Sequence, residues 1–449
     1  MQRFVKGVLP FVIKRQVAPL GQCKTLFTKP VFNMKETVSV VPEDRLFMQE
    51  LLEKITENNN NLPPPLFTEK CCDFFKQLDK NGKKEFFKVL STEFDVDRVE
   101  KNLLYYLEPK YNLFFDRIHQ LPNGLKLLAD MRADLLNIMG PRDSPEYLEF
   151  SSLEYDIRLK LKTYVIGFLK LERITWQKSS AELLEKICDY EAVHAVQDWK
   201  DIKRRLGPDR RVYAFFENNV PNEPLVFVHV ALVPDMSNSV QAILNEPVPN
   251  EDELNTEQFK CAVCYSITTQ QGLGGINLGN YLIKQVVNDL KNHYPQLETF
   301  ATLSPLPGFR KWLLNHAETD AGIQAELGPE WKIKLDRFNS QDQNELKDPM
   351  MKLCSRYILS EKRAENNALD PVANFHLRNG ACAHQIHWQA DTSDKGLQES
   401  FGIMINYNYI TDRIESNHRL YLLNGTISVS EPNKEGWLSR FVLEDNKRQ

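Results

Sequence analysis

Residues 261–305 constrain this chain more than any other stretch. Residues 261–268 are rich in β-branched and aromatic side chains and read as a strand. Gln270, Gln271, Gly272, Leu273, Gly274, Gly275, Ile276, Asn277, Leu278 and Gly279 follow as a glycine-rich loop. The next segment places Leu282, Ile283, Val286, Val287 and Leu290 on one face of a helix, and a further strand at 299–303 closes the unit. Glycines at a strand-to-helix junction let backbone N–H groups approach an anion, and the helix N-terminus adds its dipole. The junction therefore suits a pyrophosphate. Asn277 stands at the third glycine position of the dinucleotide fingerprint, and no Gly-Lys-Ser/Thr follows, so the loop is neither a Rossmann fingerprint nor a P-loop. The rival reading is a turn whose glycines serve packing alone.

Around this unit the chain divides in two. Asn58 to Asn61 with Pro63, Pro64 and Pro65 mark a loop. Residues 66–170 then carry helical periodicity: Phe74, Phe75 and Leu78; Phe86, Phe87 and Leu90; Leu125, Leu127, Leu128, Met131 and Leu135. Beyond Thr175 the pattern changes. Residues 181–199 are still helical, and strand-like runs follow at 212–216, 225–233, 261–268, 299–303, 381–388 and 401–410. The expected fold class is α plus α/β: an N-terminal helical bundle over 36–172, then a mixed α/β domain over 173–449.

The first 35 residues stand apart from both. They hold seven basic residues and no acid, although the whole chain has a net charge of −5. A cationic, acid-free, partly apolar start reads as a mitochondrial transit peptide, with a basic tail as the rival. The remainder offers nucleic acid no basic field. No run approaches the roughly 18 apolar residues of a membrane span. Eight sparse, irregularly spaced cysteines suit a reducing compartment.

Two segments supply candidate chemistry. Ser304 and Pro305 directly follow the second strand of the glycine-loop unit, where α/β sheets place ligands, so the hydroxyl is expected at the mouth of the phosphate site. His376 lies between Phe375 and Leu377 at an expected loop-to-strand junction, and imidazole is the side chain suited to proton transfer near neutral pH. A turn serine and a packed histidine are the plain alternatives. Cys261 and Cys264, and His384 and His387, are spaced like metal pairs, but positions i and i+3 of a strand face opposite ways. Arg204, Arg205, Arg210 and Arg211 are expected on a solvated, mixed-charge helix face, from which one arginine could reach a phosphate.

The loop resembles the acyl-CoA pyrophosphate loop of the GNAT acetyltransferase fold: Gln271, Gly272 and Gly274 fit its pattern, while Ile276 replaces a small residue. From about residue 65 to about 410 the chain resembles the malonyl-CoA decarboxylase family. The motifs concerned are 191–194, 201–207, 223–232, the loop 269–280, 304–309 and 374–381. The resemblance implies a helical assembly domain, a GNAT-like catalytic domain, and conversion of malonyl-CoA to acetyl-CoA and CO2. It implies a catalytic serine at Ser304 and histidine at His376, with Ser266 and Tyr409 in support. It places malonyl-CoA against Gly274, Gly275, Ile276, Asn277, Leu278, Gly279 and Asn280, with Gln271 and Gly272 leading in. Asn277 falls where the family commonly has glutamate and is carried as an active-site residue on that basis. A homo-oligomer, a tetramer by resemblance, is expected. So is a mitochondrial matrix location, with the cytoplasm as the alternative. The peroxisomal Ser-Lys-Leu ending of some members is not found at Lys447, Arg448 and Gln449.

Decarboxylation of a malonyl thioester leaves an enolate. The site must align the carboxylate, stabilise charge on the thioester oxygen and return a proton to carbon. The expected division of labour has Ser304 aligning the reacting group and a His376 imidazolium donating the proton, so turnover is expected to fall at high pH. Neither metal nor organic cofactor is expected, because the thioester is its own electron sink. An acyltransferase of the same fold and a non-catalytic acyl-CoA sensor are the rivals.

Overall fold

The computed structural model describes residues 111–445 apart from 120, 122, 166–168, 218–221, 251, 253, 339–343, 364–365 and 432–435, together with Leu78 and Gly82. The leader over 1–35, the loop at 58–65 and the periodic segments at 74–75 and 86–90 lie outside the described residues. Contacts group the chain into two compact units, Met1–Leu107 and Glu108–Gln449. All that follows concerns the second.

It begins with helices α1 (Tyr111–His119), α2 (Gly124–Met139) and α3 (Pro145–Val165). Phe115, Ile118, Leu125, Leu128, Ala129, Ile157 and Leu161 are buried on the inner faces of the three, at the helical spacing their sequence predicts. The helices do not close a core of their own. Their apolar stripe runs into the same core as Phe215, Val228, Leu273, Ile276 and Leu282 of the sheet region.

The sheet region holds β1 (Leu169–Ile174), α4 (Ala181–Tyr190), α5 (Trp199–Arg205), β2 (Arg210–Glu217), β3 (Val226–Val233), α6 (Val240–Asn245), β4 (Cys261–Thr269), α7 (Leu278–His293), β5 (Thr299–Thr302) and β6 (Ser304–Pro305). Then come α8 (Phe309–Ala317), α9 (Ala321–Leu327), α10 (Trp331–Asp336), α11 (Lys347–Leu359), α12 (Pro371–Arg378), β7 (Cys382–His387), α13 (Asp394–Ser400), β8 (Met404–Asn408), α14 (Ile414–Asn424) and α15 (Trp437–Asp445). This is the expected helical region followed by mixed α/β. One eight-stranded sheet runs β1-β2-β3-β4-β5-β8-β6, with β7 also on β8. The first four strands are antiparallel neighbours, and β4 and β5 are parallel. Strands β2 and β3 are buried almost end to end, so both faces of the sheet are covered. Helix α7 lies on one face through Leu282, Ile283, Val286 and Leu290, with Val287 half-buried at the margin.

Two features open a cleft in the sheet. The parallel pairing of β4 with β5 stops at Cys264 and Thr302, while β4 runs on to Thr269. Beyond that point the strands part, and alternate β4 N–H groups lose their strand partner. A β-bulge also lies just before the divergence: His229 faces Ser266 and Val230 faces Cys264, so Tyr265 is the extra residue. Such a bulge re-aims the side chains that follow it.

Three sequence expectations are corrected here. His376 sits on a helix, α12, rather than at the entrance to a strand; Asp370 caps its start and Pro371 fills its first position, which fits a ring with no N–H to donate. Residues 191–198 interrupt the helix expected across 181–199. The arginine cluster is not a solvated face. Arg204, Arg205, Arg210 and Arg211 are all buried. Arg204 makes a bidentate pair with Asp209 at 2.7 and 2.9 Å, Arg205 pairs with Asp201 at 2.7 Å, and Arg210 pairs with Asp209 at 2.6 Å and Glu246 at 2.9 Å. These partners hold the guanidinium groups inside the protein, because a buried charge needs a fixed counterion.

Candidate active site

The cleft between the parting strands is a cavity of about 230 Å³, walled by Cys264, Ser266 and Ile267 of β4 and floored by Ser304 and Pro305 of β6. Helix α12 covers it with Val372, Phe375 and His376. Among the described residues, no lysine or arginine lines it.

Ser304 and His376, 72 positions apart in sequence, meet here, with Ser304 Oγ 3.1 Å from His376 Nε2. The serine hydroxyl donates to Thr302 Oγ1 at 2.8 Å. On the far side of the ring, Nδ1 lies 2.8 Å from the Tyr409 hydroxyl. With Ser304 donating to Thr302, the consistent arrangement has Nε2–H donating to Ser304 and Tyr409 O–H donating to Nδ1. The imidazole is stacked on Tyr407, ring centres 4.7 Å apart, and is 3% exposed. That burial pushes its pKa down to about 3. The imidazolium expected from sequence is therefore not the state this cavity favours: His376 is neutral there, since nothing charged stands close enough to offset desolvation.

One buried carboxylate ties the segments of Ser304 and His376 together. Asp370 accepts from Val372 N and Ala373 N at 2.9 Å each, which caps α12, and from the Tyr357 hydroxyl at 3.1 Å. It also accepts the N–H of Gly308, four residues after Ser304. A Cβ on Gly308 would come within 2.3 Å of Tyr357 Oη, so a glycine is required for this approach.

Ser266, on the opposite wall, donates to both oxygens of Glu191 at 2.7 and 2.8 Å. Glu191 also accepts from Val193 N and His194 N, and His229 Nε2 lies 3.2 Å from its Oε2. Burial alone would raise this carboxyl. The adjacent His229 ring, with Ser266 and the backbone donors, outweighs it and holds the pKa at about 2. The roles of Glu191, His229, Thr302 and Asp370 were not assigned from sequence. A signal existed for His229, a lone polar residue within an otherwise apolar strand, since such a residue must find a partner when buried.

The glycine loop follows the C-terminal end of β4, the same end that walls the cavity. Its predicted residues separate into two groups. Gly272, Ile276, Leu278 and Gly279 are buried, and Gln271, Gly274 and Gly275 are exposed, with Asn277 and Asn280 half-buried. A Cβ on Gly272 would lie 1.8 Å from Ala129 O, and one on Gly279 would lie 2.9 Å from the Phe375 ring, so these two glycines serve packing. A Cβ on Gly274 meets nothing within 4 Å. Asn277 precedes α7 with φ 65° and makes no capping hydrogen bond; asparagine is among the residues that tolerate this left-handed backbone. It does not line the cavity and is not joined to the Ser304–His376 network. The N–H groups of Gly274 and Gly275 have no hydrogen-bond partner among the described residues. The first N–H groups of α7 add to them.

Comparison with known proteins converges on one family. The model of the malonyl-CoA decarboxylase C-terminal domain matches residues 167–445, and that of the N-terminal domain matches residues 83–164. The mitochondrial malonyl-CoA decarboxylase of Mus musculus is 41% identical over 360 residues, 74% of this chain and 72% of the relative. That of Anser anser anser is 38% identical over the same length, 74% of this chain and 70% of the relative. Among solved structures, malonyl-CoA decarboxylase from Rhodopseudomonas palustris superposes with a TM-score of 0.66 at 30% identity, covering 87% of this chain and 98% of that one. The enzyme from Agrobacterium vitis gives 0.64 at 30% identity, covering 86% and 98%.

Proposed function

The chain belongs to the malonyl-CoA decarboxylase family and is a carboxy-lyase, and from that premise we propose how its residues carry the reaction: Ser304 and His376 receive the malonyl group of malonyl-CoA in the β4–β5 cleft, and His376 protonates the enolate left by CO2. The observation that carries this reading is the hydrogen-bonded row Tyr409, His376, Ser304, Thr302 at the point where the sheet opens.

The bond between the carboxylate and the α-carbon breaks, its electron pair enters the thioester enolate, and CO2 leaves. The β4 N–H groups beyond the end of the β5 pairing would stabilise the thioester oxygen as it gains charge, a contribution of roughly 10²–10³-fold per donor. The absence of a lysine or arginine among the described lining residues favours the same step, because no fixed cation stabilises the starting carboxylate more than the dispersed charge of the transition state. The Nε2 proton of neutral His376 then passes to the α-carbon as the Tyr409 hydroxyl gives its proton to Nδ1; when acetyl-CoA leaves, a proton from water returns to Nε2 and the Nδ1 proton returns to Tyr409, which restores both groups. The net change is one proton taken from water. Ser266, its own proton committed to Glu191, keeps a lone pair toward the cavity and holds the β4 wall in place.

Malonyl-CoA would lie with its pyrophosphate on Gln271, Gly274, Gly275 and the start of α7. Asn277 would act there, in shaping the loop, rather than in proton transfer. Residues 36–172 would serve assembly of a homo-oligomer, a tetramer by family resemblance, with residues 173–449 as the catalytic part, whose core α1–α3 complete. The basic leader and the mitochondrial relatives favour a mitochondrial location, and specifically the matrix. Incubating purified protein with malonyl-CoA, with and without an amine acceptor, tests the reading. Equal amounts of CO2 and acetyl-CoA without amine are expected. A malonylated amine would identify an acyltransferase, and binding without turnover a sensor.

A further inference from the structure

The side of the glycine loop turned away from the open face is occupied by an arginine from the helical region. Arg132 of α2 is 4% exposed. Its Nη1 donates to Gly272 O at 2.5 Å and to Gly274 O at 2.8 Å. Its Nε and Nη2 donate to Glu154 of α3 at 3.0 and 2.7 Å. One turn earlier on α2, Ala129 packs against Gly272 so closely that no side chain fits between them. The Gly272 carbonyl is buried and needs a donor, but Gly274 is exposed, so capture of its carbonyl by the same guanidinium does more than satisfy a buried group. In a trans peptide the N–H points opposite to the C=O. A carbonyl of Gly274 held by Arg132 therefore turns the N–H of Gly275 outward, and that N–H has no partner among the described residues. The Arg132 charge is matched by Glu154, so it adds orientation rather than net charge to the loop.

We propose that Arg132 is a positioning residue for coenzyme A. By holding the carbonyl of Gly274 it fixes the N–H of Gly275 toward the pyrophosphate, and by holding the carbonyl of Gly272 it anchors the base of the loop, so helix α2 sets the affinity of a site to which Arg132 is not itself a ligand. The proposal rests on reading 271–280 as the pyrophosphate loop. Malonyl-pantetheine carries the thioester and malonyl group but no pyrophosphate, which makes it the discriminating probe.

In the full-length enzyme, Arg132→Gln should raise the KM for malonyl-CoA about tenfold, the scale of losing a charge-assisted hydrogen bond, with kcat held. Its kinetics with malonyl-pantetheine should match the parent's. Arg132→Lys keeps the charge beside Glu154 and reaches fewer acceptors; it should show a smaller rise of the same kind, and it carries the test should Arg132→Gln fail to fold. Equal losses with both thioesters would overturn the proposal in favour of a general packing role, and an unchanged KM for malonyl-CoA would overturn it outright. Gly274→Val separates the two layers of the argument. If it raises the KM for malonyl-CoA while the Arg132 variants do not, only the role of Arg132 fails. If it too leaves that KM unchanged, the loop is not the pyrophosphate site and both readings fail.

Discussion

Replacing His376 with asparagine should leave two independent signatures, one kinetic and one in acid stability. The kinetic one follows from position: Nε2 is 3.1 Å from Ser304 Oγ and Nδ1 is 2.8 Å from Tyr409 Oη, and asparagine cannot pass a proton between them. A lost proton donor lowers kcat by about 10²–10⁴-fold, with KM close to the parent's because the pyrophosphate contacts lie elsewhere. The second signature follows from burial. The imidazole has a pKa near 3 in the folded protein and 6.5 in the unfolded chain. Below pH 6.5 the unfolded chain binds a proton that the folded one refuses. Folded stability therefore falls with decreasing pH, by up to about 1.4 kcal/mol per unit until pH 3 is reached. His376→Asn removes that loss. Urea unfolding of both proteins at pH 8.5, 7.5, 6.0 and 5.0 should give a stability difference that is about the same at the two higher values and shifts in favour of the variant at the two lower ones. Because the free enzyme already holds His376 neutral, kcat/KM should show no descending limb from this residue between about pH 6 and 9. A folded asparagine variant releasing CO2 at the parental rate would refute the assignment. A limb near pH 6.5 that the substitution abolishes would refute the neutral donor.

Ser304→Ala should also lower kcat, and the Ser304→Ala, His376→Asn pair should lose less than the product of the two single losses; strict multiplication would show that the groups act separately. Gly274→Val should weaken malonyl-CoA and acetyl-CoA binding alike by calorimetry at an unchanged melting temperature, because its Cβ points into open space. Gly272→Ala should instead lower the melting temperature, by the equivalent of more than about 1 kcal/mol, since its φ is +82° and its Cβ would strike Ala129; equal behaviour of the two variants would contradict the division of the loop into packing and ligand faces. Residues 1–40 fused to a fluorescent reporter should direct it to mitochondria, and a diffuse cytosolic signal would refute the targeting role.

The strand–loop–helix–strand unit was legible because its signals are local: β-branched runs for β4 and β5, and Leu282, Ile283, Val286 and Leu290 at helical spacing on α7. The helix carrying His376 was also marked locally, by Asp370 at its cap and Pro371 after it. A mixed segment of eight residues is short enough for a strand reading to compete with a helical one. The arginine cluster shows a different limit. Asp201 and Arg205 are four apart on α5 and could have been paired from sequence, but Glu246, which meets Arg210, is 36 residues away. Long-range adjacency has no local signal. Ser304 and His376 were brought together by family resemblance, and Glu191, His229 and Ser266, from three separate segments, were never connected.

The sharing of one core between helices α1–α3 and the sheet bears on how this protein can be divided. Composition changes near residue 173, which makes that position inviting for a shortened catalytic fragment. Such a fragment would start inside β1, whose six residues pair with β2 from Leu169 to Ile174. Strand β2 would become a nearly bare edge, offering its unpaired groups to any neighbouring chain. The undersides of Leu273 and Ile276 would lose the buried side chains of Leu125, Leu128 and Ile157 that share their cluster. Catalysis and helical packing thus melt together as one cooperative unit, and a soluble working fragment must begin upstream of α1.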